Sequence, residues 1–302
     1  MSNIYYSTLP PIKDYFRPKF VKSATSLLTR YGKEASVIAG GTDLLVSMRS
    51  RKKRPAYLID ITGIKNLKYI KNSNKDNLKI GALTTIREIE MSELIRKKYT
   101  ALYEAAHSMG TIQINNVATV GGNICRGSPS ADMACPLCAF KSKVKLVDTK
   151  KSRVVPLESF SNGSDKTILA GDEILTEIQI PNLLPNTGSA FLRATRTAVD
   201  LAKVNVAVVI SIENGICTYI SIVLGSVAPT LMRAYAAEEV LRGKKITKNL
   251  IEKSAKAASD AAHPRIGSLR ASPEYKKLLA NVLTREAVSL AIQRAQGKGV
   301  KE

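Results

Sequence analysis

The stretch from Val37 to Asp43 reads Val-Ile-Ala-Gly-Gly-Thr-Asp, and it constrains the chain more than any other. Val37, Ile38 and Ala39 form an apolar run suited to a buried strand. Two glycines then allow a tight turn and close approach to another group. Thr42 and Asp43 suit a helix N-cap, and Leu44, Leu45 and Met48 follow at helical spacing. A strand, Gly-Gly and a helix start can present backbone N–H groups to an anion such as a pyrophosphate. Alone, the pattern also describes an ordinary turn. It recurs, however, as Thr119-Val120-Gly121-Gly122-Asn123. Two N–H-rich turns can grip a diphosphate from both sides. Thr42, Thr119, Asn123 and Asp132 can add side-chain hydrogen bonds to phosphate or ribose hydroxyls.

Neither copy has the lysine of a P-loop, and neither reads Gly-x-Gly-x-x-Gly, so a Walker or Rossmann site is disfavoured. The net charge of +21 raises a nucleic-acid binder as a rival. Aromatic residues make up only 5 %, Trp is absent, and the dense run Arg49–Arg54 has no aromatic interleaved. Stacking platforms for bases are therefore not evident, and no nucleic acid is expected as the main ligand. The run reads as a solvated basic helix end, and docking on acidic partner subunits would also account for the charge. No apolar run is long enough for a membrane span, and Met1–Tyr6 lacks a signal-peptide pattern. Four cysteines are too few for a disulfide scaffold, and a cytoplasmic location is expected. His107 reads as structural and His263 as a helix-end residue; there is no His-Glu-x-x-His and no serine nucleophile elbow.

Periodicity predicts helices over Ser23–Tyr31 (ended by Gly32), from Thr84 or Thr85 to Met91, over Thr100–Met109, and from Asp132 to Phe140. Strands are expected at Ala56–Ile61, Tyr69–Ile70, Leu78–Leu83, Val144–Val147, Arg153–Val155 and within Gly171–Pro181. The loop Asn182–Gly188 separates these from strands at Ala190–Ala194, Val204–Ile212 and Ile216–Leu224. Asn214-Gly215 marks a hairpin between the last two. Helices at Tyr235–Leu241, Lys248–Ala262 and Pro273–Gln296 follow, with a frayed tail expected over Gly297–Glu302.

The pair Ala-Gly-Gly-Thr-Asp-Leu-Leu and Thr-Val-Gly-Gly-Asn-Ile-Cys, followed by Ser-Pro-Ser-Ala-Asp, resembles the FAD-binding subunit of the molybdenum hydroxylases. That family includes the medium subunit of aerobic CO dehydrogenase and the flavin subunit or domain of xanthine dehydrogenase. The resemblance continues through Gly171–Leu175, Arg196–Lys203 and Arg270–Lys276, in order and over nearly the whole chain. It implies an α+β protein: a two-subdomain, PCMH-type FAD-binding domain over residues 1–181 (subdomains about 1–55 and 56–181), then a C-terminal domain over 182–302 with an antiparallel sheet and helices. FAD would be bound without covalent attachment. By the same resemblance Ile38, Ala39, Gly40, Gly41, Thr42 and Asp43 wrap the diphosphate, and Thr119, Gly121, Gly122 and Asn123 complete the grip. Asp132 holds the adenosine part and Leu175 packs near the cofactor. Arg193 and Lys203 lie toward the isoalloxazine, where a cation can stabilise the anionic reduced flavin. Val199 stands where xanthine dehydrogenase-like members carry an acid, which weakens the case for NAD as oxidant.

The implied partners are a large subunit with the molybdenum cofactor and a small subunit with [2Fe–2S] clusters, assembled as a dimer of heterotrimers. Electrons would pass from those clusters to FAD and on to an external acceptor. A stand-alone FAD oxidoreductase is the first alternative; no appended substrate-binding domain is visible in the sequence to support it. Cys125, Cys135 and Cys138 give Cys-x9-Cys-x2-Cys, whose Cys-x2-Cys half can ligate zinc or an iron–sulfur cluster. The 4-hydroxybenzoyl-CoA reductase branch carries an extra cluster on an insertion that is not found here. The three cysteines therefore read as buried free thiols, with no metal expected.

Overall fold

The computed structural model describes residues 9–73, 76–267 and 270–297. The signal-peptide reading of residues 1–6 and most of the tail expected to fray, 298–302, lie outside them.

The first described unit is a small parallel sheet with helices. Strand β1 (Asp14–Phe16) leads to helix α1 (Val21–Tyr31), which buries Ala24 and Leu28 and ends at Gly32, φ +51. Then come β2 (Ala35–Ile38), α2 (Leu44–Arg49) and β3 (Tyr57–Asp60). All three strands are parallel in the order β1-β3-β2, with Asp14 and Ala35 both in register with Tyr57. Their carboxyl ends therefore share one edge, and residues 39–43 leave from it. In parallel sheets that edge is where ligands gather. A subdomain boundary between residues 55 and 56 would cut through this sheet, because β3 is its central strand; the first unit runs past residue 60.

The second unit is a five-stranded sheet. It contains β4 (Ile70–Ser73), β5 (Asp76–Gly81), β6 (Lys143–Val147), β7 (Ser152–Pro156) and β10 (Ile174–Ile180), in the order β4-β5-β10-β6-β7. A small ribbon, β8 (Ser161–Gly163) with β9 (Lys166–Thr167), follows β7. Between β5 and β6 lie α3 (Ile86–Met91), α4 (Glu93–Lys98), α5 (Thr100–Ser108), α6 (Ile112–Asn115), α7 (Val120–Cys125) and α8 (Ala134–Ala139). Thr85, not Thr84, caps α3, in a capping box with Glu88. Helix α8 starts two residues after Asp132, and the Asp132 side chain is not its cap. Helices α4 and α6 have six and four residues, too short for a 3.6-residue period to register in the sequence.

The third unit is the antiparallel sheet β11-β12-β13-β14, made of Thr187–Ala194, Val204–Glu213, Ile216–Gly225 and Met232–Arg233. Asn214 and Gly215 both take positive φ (50° and 78°), as a type I′ hairpin turn requires. One face is covered by α9 (Tyr235–Leu241), α10 (Lys248–Ala261) and α11 (Pro273–Ala295). The other presents Phe191, Ala207, Val209 and Val223 to α5 and α8 in a single apolar cluster with the second unit. Strand β12 is thus buried on both faces and reads as a continuous apolar run. The edge of β11 is closed by side chains. Phe191 N–H donates to Glu104 (2.8 Å), and Arg294 donates both to Ser189 O (2.7 Å) and to Glu104 (2.5 Å). Among the described residues no helix is long and apolar enough to cross a membrane.

Candidate cofactor site

At the carboxyl edge of the parallel sheet, Ile38 ends β2 opposite Asp60. The chain then turns through residues 39–43. Gly41 has φ +72, a conformation open to glycine at no steric cost. A Cβ on Gly40 would lie 2.0 Å from Val117 O, so this glycine is demanded by another strand of backbone. Among the described residues the N–H groups of Gly40, Gly41 and Thr42 form no hydrogen bond. Asp43 occupies the N-cap position of α2 but makes no capping bond, contrary to the sequence expectation. Its carboxylate faces Arg126 instead (3.4 Å), and Arg126 also pairs with Asp165 (2.7 Å).

The residues that lead into the second Gly-Gly segment, Val117 and Ala118, lie against Gly40, but the segment itself is built differently. It is the first turn of α7 rather than an open loop. Thr119 is extended (φ −111°) and caps the helix, its Oγ1 accepting from Gly122 N–H at 3.1 Å. Val120 N–H donates to Thr84 O and Gly121 N–H to Ala82 O, both at 3.0 Å. The expectation of two N–H-rich turns is therefore corrected: only residues 39–43 offer unspent amides, because the second turn has committed its own to the backbone around β5. Gly121 is required by packing, since its Cβ would sit 2.7 Å from Ala82 O. Gly122 is not: within 4 Å its Cβ would meet only Thr119 Oγ1, at 3.0 Å. Asn123 donates weakly to Met109 Sδ (3.6 Å), and its buried Oδ1 has no partner.

The other expected residues form a separate group. Asp132 is buried, with one oxygen bound by Arg193 (2.5 Å) and the other by Asn205 (2.8 Å). Arg193 also donates to Ala198 O (2.6 Å). Burial pushes the Asp132 carboxyl above its ordinary value, while Arg193 and Asn205 pull against that shift. The three side chains join the end of the second unit to strands β11 and β12. Lys203 joins the same strand pair, its N–H donating to Ala194 O (2.8 Å), while its Nζ lies 5.6 Å from the ring centroid of Tyr275. Leu175 is a core residue of β10 in register with Leu146. Sequence reasoning missed Asn205 and Arg126. The signal for Asn205 was there: an amide side chain inside the apolar run of β12, fully buried, with Oδ1 against Gly225 where a Cβ would be 2.1 Å away. Arg126 carried no such mark.

Cys135 and Cys138 are buried and free, and Cys135 Sγ donates to Val223 O at 3.4 Å. Burial pushes the Cys138 thiol up to about 12, and the half-buried Cys125 to about 12 as well. Thiols raised in this way are poor nucleophiles at neutral pH.

Comparison with known proteins gives this geometry a context. The sequence model of the FAD binding domain in molybdopterin dehydrogenase matches residues 10–183, and that of the CO dehydrogenase flavoprotein C-terminal domain matches 189–291. The carbon monoxide dehydrogenase medium chain of Hydrogenophaga pseudoflava is 32 % identical over 286 residues, covering 95 % of this chain and 99 % of its own. The chain belongs to the FAD-binding subunits of the molybdenum hydroxylases. The xanthine dehydrogenase FAD-binding subunit of Escherichia coli O157:H7 is also 32 % identical, over 94 % of this FAD-binding subunit and 97 % of its own length. A solved carbon monoxide dehydrogenase from Hydrogenophaga pseudoflava, lacking the Mo-pyranopterin moiety, superposes with a TM-score of 0.91 at 33 % identity, over 95 % and 99 % of the two chains. The α+β fold expected from the sequence is that of this family, and its relatives are dehydrogenase subunits. The residues present fit the FAD of the family: residues 39–43 offer unspent amides, Gly122 leaves open space above α7, and Asn123 Oδ1 is a buried acceptor awaiting a donor.

Proposed function

We propose that this chain is the electron-transferring flavin component of a multi-subunit molybdenum hydroxylase, with residues 39–43 as the principal diphosphate grip. The observation that carries the reading is the row of unspent amides at Gly40, Gly41 and Thr42, set beside the uncovered Gly122. Unpaired N–H groups on a carboxyl-edge turn are a ready anion site. FAD, when bound, supplies a centre that takes up and releases electrons. The chain's own residues bind, orient and enclose. Ile38 and Ala39 support the loop from below, and Gly41 holds its amides in line. Thr119 orders α7 so that Gly121 stays tight on Ala82 while Gly122 stays open. Asn123 offers its orphaned oxygen to a donor on the ligand. Asp132, with Arg193 and Asn205, locks the C-terminal unit (residues 182–302) onto the FAD-binding unit (residues 1–181). Leu175 contributes to the apolar floor. Lys203 supplies positive charge on the C-terminal side, which favours an anionic reduced ring; the charge of Arg193, expected from the sequence to act there too, is matched by Asp132 at 2.5 Å.

In this reading electrons arrive from [2Fe–2S] clusters of a small partner subunit, substrate reacts at a molybdenum cofactor in a large one, and an external acceptor takes the electrons away. The assembly is a dimer of heterotrimers in the cytoplasm. Purification of the native complex, with its polypeptides identified and its molybdenum, iron and FAD counted, tests the assembly. A lone chain turning over a substrate unaided would overturn it. Gly122→Glu tests the site: it should leave the chain folded and strip it of FAD, by crowding and repelling the diphosphate. A folded variant with normal flavin content would refute the assignment.

A further inference from the structure

The sequence scatters its cations, yet the fold gathers a set of them at the end of the parallel sheet opposite residues 39–43. Helix α2 runs back from the cofactor loop, so the basic run 49–54 returns to the amino-terminal edge of the strands. Backbone bonds fix the place: Ala56 N–H donates to Glu34 O (2.8 Å) and Lys13 N–H to Ala56 O (2.7 Å). Lys13, Arg30, Lys33 and the cations of 49–54 number eight, against two acids, Asp14 and Glu34. Lys13, Arg30, Lys33, Arg49, Lys52, Lys53 and Arg54 are exposed. Glu34 is occupied by Lys13 at 3.4 Å. With β2 four residues long, the face stands about 13 Å from the cofactor loop, at about 3.3 Å per residue.

Aromatic rings lie in the same face. Tyr31 stacks on Tyr57 with centroids 3.9 Å apart, and Phe16 on Tyr31 at 5.3 Å. Lys13 Nζ lies 5.7 Å from the Tyr57 ring and the Arg30 guanidinium 5.2 Å from the Tyr31 ring. The sequence alone showed a basic run with no aromatic beside it; folding supplies three.

We propose that this basic, tyrosine-bearing face docks an acidic surface of a partner protein. The charge is complementary to carboxylates, and Tyr and Arg are the residues that protein interfaces favour. A counter-charged partner also relieves the self-repulsion of a chain at +21. Nucleic acid fits less well, because the ring faces are taken up by one another and by cations, leaving none for bases. An anionic lipid surface fits less well too, because within 12–16, 30–34 and 49–57 only Ile12 and Tyr15 are exposed large apolar side chains, too little to anchor in a bilayer. Docking here leaves residues 39–43 uncovered at the far edge, so the proposal stands independently of the cofactor reading.

The test uses the purified full chain and three probes: poly-L-glutamate, duplex DNA, and vesicles containing phosphatidylserine, each at low and at physiological salt. The face variant is Lys52→Glu/Lys53→Glu/Arg54→Glu; the control makes the same charge change on α4, Arg96→Glu/Lys97→Glu/Lys98→Glu. The face variant should lose about tenfold or more of its polyglutamate affinity while the control changes about twofold or less, with both keeping the parent circular dichroism. Equal losses in the two variants would reduce the effect to net charge and overturn the proposal. So would tighter binding of the parent to DNA or to vesicles than to polyglutamate at matched salt.

Discussion

The two Gly-Gly segments share a sequence pattern and differ in what each glycine is for. In the first, Gly40 is fixed by the Val117 carbonyl and Gly41 by a left-handed backbone, and the amides around them are free. In the second, Gly121 is fixed by Ala82 and the amides are spent on Thr84, Ala82 and Thr119, while Gly122 faces open space. Three of the four glycines are thus explained by the chain itself. Gly122 is the least constrained: it is exposed, and its Cβ would press only on the Thr119 Oγ1 that caps its own N–H, at 3.0 Å, while a helical glycine costs about 0.5–1 kcal/mol relative to alanine. The pair is one amide-bearing loop resting on a closed helical turn, rather than two equivalent jaws.

The sharpest way to break this distinction is Gly40→Ala. Its Cβ would fall 2.0 Å from a backbone oxygen, which no rotamer can relieve. A loss of about 3 kcal/mol is expected from overpacking against backbone, seen as a lowered unfolding midpoint in the flavin-free chain. An unchanged midpoint would mean that the two segments do not meet. Gly122→Ala should do the reverse. The helical gain is set against one contact at 3.0 Å, so stability should stay within about 1 kcal/mol of the parent. Flavin content after desalting should nevertheless fall severalfold. Parallel changes in stability and flavin content across the two variants would erase the difference between the segments.

How much of this was legible beforehand depends on the range of the forces involved. Helix α1, a threonine cap at 84 or 85, the Asn214-Gly215 hairpin and the long helix α11 were readable because periodicity, capping and turn chemistry act within a few residues. The nature of the second Gly-Gly turn was not, because Val120 and Gly121 find acceptors on Thr84 and Ala82, which only the tertiary fold brings near. The same holds for the partner of Asp132. Its sequence neighbourhood suggested a helix start and a ligand contact, whereas its carboxylate is bound by Arg193 and Asn205 from another unit. Residue types at the site could be named from the pattern, but which of their hydrogen bonds remain available could not.

The smallest effects separate the two helix starts. Thr119 caps α7 through Gly122 N–H, so Thr119→Ala should cost about 1 kcal/mol, the usual value of a lost N-cap. Asp43 stands at the corresponding place before α2 and its side chain makes no cap; among the described residues its carboxylate has the exposed pair with Arg126 at 3.4 Å. Asp43→Ala should cost no more than about 0.5 kcal/mol, as exposed ion pairs do, and that loss should fade in high salt. The Thr119→Ala loss should persist at the same salt, because it arises from an unmet amide rather than from charge. Urea titrations of both variants at low and high salt measure the contrast. Equal, salt-insensitive losses would mean that Asp43 caps α2 after all, and that the two segments are more alike than their hydrogen bonds indicate.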